Sequence, residues 1–192
     1  LHLCDKNLEQ IKAEQITTHN LLVDVCMAAK FEGQSIRGYY PKYDEQYPGS
    51  GSSMCTMLAR SFADIGDIVR GRDLYGGNNK RRQQLQENLK TIFGDIYNEL
   101  TSTNGRSESS ASALQKHYQD KNGGNFFKLR EDWWTANRAT VWKAMTCEAP
   151  NNAQYFRETC SDEQGGAQDN NKCRCISGDP PTYFDYVPQY LR

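Results

Sequence analysis

Lys80-Arg81-Arg82 is the densest basic run in the sequence, and Lys90 follows two helical turns beyond Arg82. A second basic group, Lys116, Lys121, Lys128 and Arg130, surrounds a Gly123-Gly124 break. Ammonium and guanidinium groups clustered in this way hold sulfates or carboxylates through charge-assisted hydrogen bonds. A helix opening at Lys80 adds its N-terminal amides, which favour anions. The chemistry expected of Lys80, Arg81, Arg82, Lys90, Lys116, Lys121 and Lys128 is recognition of an anionic ligand such as a sulfated or sialylated glycan. The competing reading is a solvated helix face balanced by Glu87, Asp95 and Glu99. With 23 Lys+Arg against 24 Asp+Glu the formal net charge is −1. Binding must therefore rest on local charge. Neither net basicity nor a reading motif points to nucleic acid.

Catalytic signals are weak. The pairs Glu131-Asp132, Asp162-Glu163 and Asp44-Glu45 are adjacent in sequence, so they do not converge on one helix face and read as solvated surface. His19 and His117 have no nucleophile or metal partner at a useful spacing, and Cys26 lies about two helical turns after His19, a poor Cys-His geometry. Gly49-Ser50-Gly51-Ser52-Ser53 and Gly76-Gly77-Asn78-Asn79-Lys80-Arg81 mimic phosphate loops, but neither follows an apolar strand or shows GxxxxGK[ST]. No enzyme, cofactor or metal is expected.

Seven cysteines are present: Cys4, Cys26, Cys55, Cys147, Cys160, Cys173 and Cys175. No C-x-x-C occurs, which argues against a closed zinc site. Cys173-Arg174-Cys175 reads as a loop joining two separate disulfides. All seven are disulfide candidates of an oxidised, extracellular domain, with at most one free thiol inside the chain. The odd count leaves one thiol free or paired beyond the chain. The connectivity stays open, since even six paired cysteines allow fifteen arrangements.

The elements that must position these residues are helices. Leu21, Leu22, Val25, Cys26 and Ala29 line one face of a helix capped by the Thr17-Thr18-His19-Asn20 stretch and running toward Tyr39-Tyr40, with Gly33, Gly38 and Pro41 as weak points. After the Pro48-Gly49-Ser50-Gly51 break, Ser52 or Ser53 caps a helix striped by Cys55, Leu58, Phe62, Ile65 and Val69. Lys80 opens a charged helix that buries Leu85, Leu89, Ile92, Phe93, Ile96 and Leu100. Thr101 to Ser112 reads as a mobile loop. All three tryptophans fall in the next helix, the expected spine of the fold. Its stripe is Leu129, Trp133, Ala136 and Thr140, and its charged residues are expected on solvated sides. The alternating charges Arg60, Asp64, Asp67, Arg70, Arg72 and Asp73 read as i, i+3 and i+4 pairing, a structural network shared in kind by Arg130, Glu131, Asp132 and Arg138. Ser161 to Asn171 reads as a surface loop, and Pro180-Pro181 and Pro188 bound a tyrosine-rich segment. Strand signals are almost absent, so the class is all-α with long loops. Hydrophobic residues make up 37% and mean hydropathy is −0.84. No run of eighteen apolar residues spans a membrane, and no signal peptide is visible.

REDWWTANRATVWKAMTC (Arg130 to Cys147), LARSFADIGDIVRGRDLYGG (Leu58 to Gly77) and PTYFDYVPQYLR (Pro181 to Arg192) resemble segments of the Duffy-binding-like adhesion domains of malaria parasites. With LHLCD at the start and LLVDVCMAAKFEG from Leu21, they resemble the alpha class, found near the N-terminus of the variant erythrocyte membrane protein 1 family. The resemblance implies a disulfide-stapled helical adhesion fold, here an incomplete domain, with 1–147 as a first helical part and 148–192 as the start of a second. It further implies a variant surface antigen on the extracellular face of the infected erythrocyte membrane, anchored outside this chain. The implied partners are host red-cell glycans (heparan-sulfate-like or blood-group) or complement receptor 1 in rosetting, antibodies, and neighbouring domains of the same protein. The alternative is a structural, antigenically variable part of the adhesive head, with receptor binding carried by a neighbouring cysteine-rich domain.

Overall fold

The computed structural model describes residues 8, 18–48, 53–73, 80–103, 107–120, 123–153, 155, 160, 172–175 and 177–192. Among the described residues the fold is carried by the helices α1 (Thr18–Gln46), α2 (Met54–Arg70), α3 (Lys80–Thr101), α4 (Glu108–His117) and α5 (Phe127–Met145). Two 3-10 turns, Phe184–Tyr186 and Gln189–Leu191, end the chain. No β-strand occurs among the described residues, in line with the all-α expectation.

The central helix is α2. Nearly every residue of it is buried, because α1, α5 and the C-terminal segment pack around it. Ser53 caps it, its hydroxyl accepting from the Thr56 amide at 3.2 Å. It stops at Gly71, whose φ of 73° suits glycine. The amides of Gly71 and Arg72 return to the carbonyls of Ile68 and Asp67 and satisfy the helix end.

Helix α5 brings the aromatic weight. Phe62 of α2 lies between Trp134 and Trp142, with ring centroids 5.1 Å from each. Trp133 meets Phe93 of α3 edge-on at 6.0 Å. Such offset and edge contacts add to the burial energy of large rings. Close approach is enforced by small residues: a Cβ at Gly66 would come within 2.8 Å of the Trp134 ring, and one at Gly33 of α1 would overlap the Met145 carbonyl.

The buried face of α5 differs from the expected stripe. Leu129 and Trp133 are buried, but Ala136 and Thr140 are exposed. The buried line instead runs Leu129, Arg130, Trp133, Trp134, Val141, Trp142 and Met145. The face is rotated because the C-terminal segment covers Trp134 and Arg138, which both bond Asp185. Thr101 to Ser112 is also not a loop throughout. Ser107 caps α4, accepting from the Ser110 amide, and Ala111 anchors it. Glu108 in its first turn and Lys116 and His117 in its last suit the helix dipole.

Two disulfides tie the C-terminal loop down. Cys55 at the start of α2 joins Cys173, and Cys160 joins Cys175. Cys26 and Cys147 do not fit the disulfide expectation. Both are free: Cys26 half-buried in α1, Cys147 exposed beyond α5. The four other described cysteines are paired with one another, so two thiols are free among the described residues where at most one was expected. Cys4 and the Ser161 to Asn171 segment lie outside the described residues.

Candidate functional site

Helix α3 sets the main basic cluster. Its inner face is fixed by Leu85, Leu89, Ile92, Phe93 and Ile96, all buried, while Leu100 is only half-buried. Gln86 locks it to α2, donating to the Ile68 carbonyl at 3.0 Å. Lys80 and Arg81 thereby stand exposed at the helix start. Arg82 sits one turn before Gln86 on the inner side and is held by Asp73 at 3.1 Å. Lys90 is bridged to Glu87 at 2.7 Å. The expected cluster thus differs in exposure: Lys80 and Arg81 are exposed, whereas Arg82 and Lys90 are half-buried and bridged to carboxylates.

Lys116 ends α4 and Lys128 opens α5, both exposed. Lys121 lies outside the described residues. Arg130 does not belong to a solvated basic group. It is 1% exposed and donates to the Val69 carbonyl at 2.6 Å, the Ile68 carbonyl at 3.1 Å and Gln86 at 2.8 Å. Burial lowers its pKa to about 10, and it stays charged at neutral pH. It closes the C-terminal carbonyls of α2, where the helix dipole favours a cation.

The charges of α2 and α5 are structural, as expected, but the partners are mostly between elements. Arg70 is fully buried. It bonds Asp67 one turn away at 3.0 Å, Glu131 of α5 at 3.0 Å, and the backbone carbonyl of Asp185. Arg72 adds a second cation to Glu131 at 2.7 Å, so Glu131 is not part of a solvated acidic pair. Asp185 accepts from the Trp134 indole at 2.9 Å and from two nitrogens of Arg138 at 2.8 and 2.9 Å. Arg192 reaches Asp64 at 3.0 Å and also bonds Asp67. Burial raises the pKa of Asp64 and Asp67, with Arg192 opposing it in both. The last twelve residues are therefore a strap pinned to α2 and α5 by ion pairs. The sequence hinted at it only through its prolines and tyrosines.

Every buried carboxylate in the network faces a guanidinium that neutralises it, and among the described residues no group of three His, Cys, Asp or Glu could hold a metal ion. No helix among them is long and apolar enough to cross a membrane. What the arrangement offers is an exposed cationic helix start on a rigid frame, suited to holding anions.

The profile of the Duffy binding domain matches residues 1–192. The fold is similar to the N-terminal NTS-DBL1-alpha and CIDR-gamma double domain of PfEMP1 from the Plasmodium falciparum varO strain, at 42% identity and a TM-score of 0.74. That match covers 99% of this chain and 25% of the other. It is also similar to the ICAM-1-binding PfEMP1 IT4var13 DBLbeta domain, at 33% identity and 0.69, covering 100% and 39%. The DBLb domain of PF11_0521 PfEMP1, solved bound to human ICAM-1, matches at 29% identity and 0.62, covering 99% and 36%. The chain thus spans a quarter to two-fifths of these relatives. A 66-residue stretch is 33% identical to protein Ycf2 of Angiopteris evecta, covering 34% of this chain and 3% of that protein, too small a share to show kinship. By the match over its whole length and by its fold, the chain belongs to the Duffy-binding-like domains of the PfEMP1 family.

Proposed function

We propose that this chain is part of a host-receptor-binding adhesin displayed on the outer face of the infected red cell. The observation that carries this reading is the likeness to DBL domains described as ICAM-1-binding or solved with human ICAM-1. Within it, the exposed start of α3 is the candidate contact for red-cell glycans, heparan-sulfate-like or blood-group, with complement receptor 1 as the protein alternative. Lys80 and Arg81 lead, with Arg82 and Lys90 joining only by releasing Asp73 and Glu87. Lys116 and Lys128 supply a second contact. Residues 1–147 would form a first helical part and 148–192 the start of a second.

Several weak, salt-screened contacts would act together here. Replacing Lys80, Arg81 and Arg82 with Ser should lower heparin retention clearly while circular dichroism stays unchanged. Retention equal to the parent chain would remove the glycan site from α3. The alternative, a structural part of the head with binding in a neighbouring domain, is supported by the engagement of Arg82 and Lys90. It predicts no retention by either protein.

A further inference from the structure

A cavity of about 440 Å³ lies between the C-terminal half of α1, the start of α2 and the turn after α5. It is remote in sequence from the basic helix start, and the adhesion reading does not use it. Its walls include Tyr40, Pro41, Met54 and Pro150, with Arg37 and Asn152 also lining it. This is the combination that marks a ligand site: apolar walls with a few polar groups.

Charge at the cavity favours an acid. Helix α2 begins here and carries no acidic residue in its first turn, so its positive end meets the neutral Ser53 cap and no carboxylate of its own. Arg37 adds a guanidinium. Its partner, Glu148, is 3.5 Å away, and both side chains are substantially exposed, at 54% and 39%. An exposed pair of that length is weak, so an incoming carboxylate can share or take the guanidinium.

The surroundings favour a polypeptide. Tyr39, Tyr43 and Tyr47 form a ladder along the same end of α1, with centroids 6.4 and 5.2 Å apart. Tyr39 and Tyr47 are half exposed. Tyrosine, arginine and methionine around a pocket are the residue types that anchor protein interfaces. We propose that this cavity, at the end of α1 that carries the tyrosine ladder, is a docking site for a protein segment that inserts a bulky apolar side chain beside a carboxylate. The proposal rests on the adhesion reading in supposing a protein partner, and places its contact away from α3.

The chain has four methionines, which makes the test direct. Met54 lines the cavity, Met27 is exposed on α1, and Met57 and Met145 are core. The probe is N-acetyl-aspartyl-phenylalanine amide, titrated to about 5 mM against methyl-labelled protein, the range for a single weak anchor. The Met54 methyl resonance should shift and saturate while the other three stay still. Asn152→Trp, which fills the mouth from an exposed position, should abolish the shift. Arg37→Glu, at another exposed position, should weaken it about tenfold, 1.4 kcal/mol. Unchanged Met57 and Met145 resonances certify both folds. No Met54 shift, an equal shift with the lysyl-phenylalanine analogue, or a shift with sialyllactose alone overturns the proposal. Receptor binding that survives Asn152→Trp would leave the adhesion reading standing and remove this site from it. Loss of all receptor binding by the parent chain, with the Met54 response intact, would do the reverse.

Discussion

Asp185→Ala is the sharpest perturbation of the scaffold. Asp185 is 1% exposed, and its carboxylate accepts three bonds: one from the Trp134 indole and two from Arg138. Removing it strands a fully buried indole N–H and leaves a guanidinium, its side chain only 12% exposed, with the Thr182 carbonyl and no counter-charge. Breaking one side of a buried ion pair costs about 3–5 kcal/mol, and the orphaned indole adds roughly 1 kcal/mol. The bond from Arg70 to the backbone carbonyl of residue 185 is kept, so the expected loss is the sum of the two terms, about 4–6 kcal/mol. With a urea slope near 2 kcal/mol per molar, the midpoint should fall by about 2–3 M. Tryptophan fluorescence reads the transition, since Trp134 is itself a partner. A double-mutant cycle with Arg138→Met should return a coupling of at least roughly 2 kcal/mol. A loss under about 1 kcal/mol, or no coupling, would mean that the strap rests on α2 and α5 without holding them, and the network argument would fail.

Three further outcomes follow from the same geometry. Gly66→Ala should destabilise by about 1–3 kcal/mol, because the new Cβ meets an indole fixed by Asp185; unchanged near-ultraviolet circular dichroism and melting would contradict that packing. Burial raises the folded pKa of Asp64 and Asp67 above the ordinary 3.8, so the folded chain holds these protons more tightly than the unfolded one. Their contribution is full below 3.8 and is lost as pH rises through the raised values, so Asp64→Asn should flatten the stability slope just above that point, and a slope identical to the parent's would assign it elsewhere. Cys147 is exposed while the thiol of Cys26 is half-buried with its pKa raised by burial; a chromogenic disulfide should label Cys147 first and Cys26 on unfolding, and equal native rates would contradict the placement of α1.

The helices were legible where one side of a segment meets water and the other does not. The stripe Cys55, Leu58, Phe62, Ile65 and Val69 is buried throughout, and Ser53 caps α2 where a serine was expected. On α5 the same logic misplaced half of a face. Arg138 and Trp134 look amphipathic or polar in sequence, yet a carboxylate 47 and 51 residues away takes them inside. Helical periodicity carries no information about a partner that distant. Arg130 was legible as structural, but its partners were not: its acceptors include the carbonyls of Ile68 and Val69, and backbone acceptors leave no trace in the sequence. α4 was hidden by serines, which compete with helix formation in the interior but cap its start. The exposed Lys80 and Arg81 were legible as cations. That Asp73 holds Arg82 was not, because it depends on how two separate helices pack together.

The fold sorts its cations into two populations with different freedom to change. Arg70, Arg130, Arg138 and Arg192 are each met by buried acceptors and fix how α2, α3, α5 and the strap meet. Losing one costs on the order of 3–5 kcal/mol, a large share of the stability of any domain. Lys80, Arg81, Lys116 and Lys128 stand exposed on helix ends, where a substitution usually changes stability by less than about 0.5 kcal/mol. The guanidinium network holds the helix termini rigid, and the outer charges can be exchanged without disturbing it. If the proposed contacts lie on those outer positions, ligand preference can diverge between relatives at 29% to 42% identity while the scaffold still superposes. The two populations also predict different mutant behaviour: loss of an inner arginine should lower stability and binding together, and loss of an outer lysine should lower binding alone.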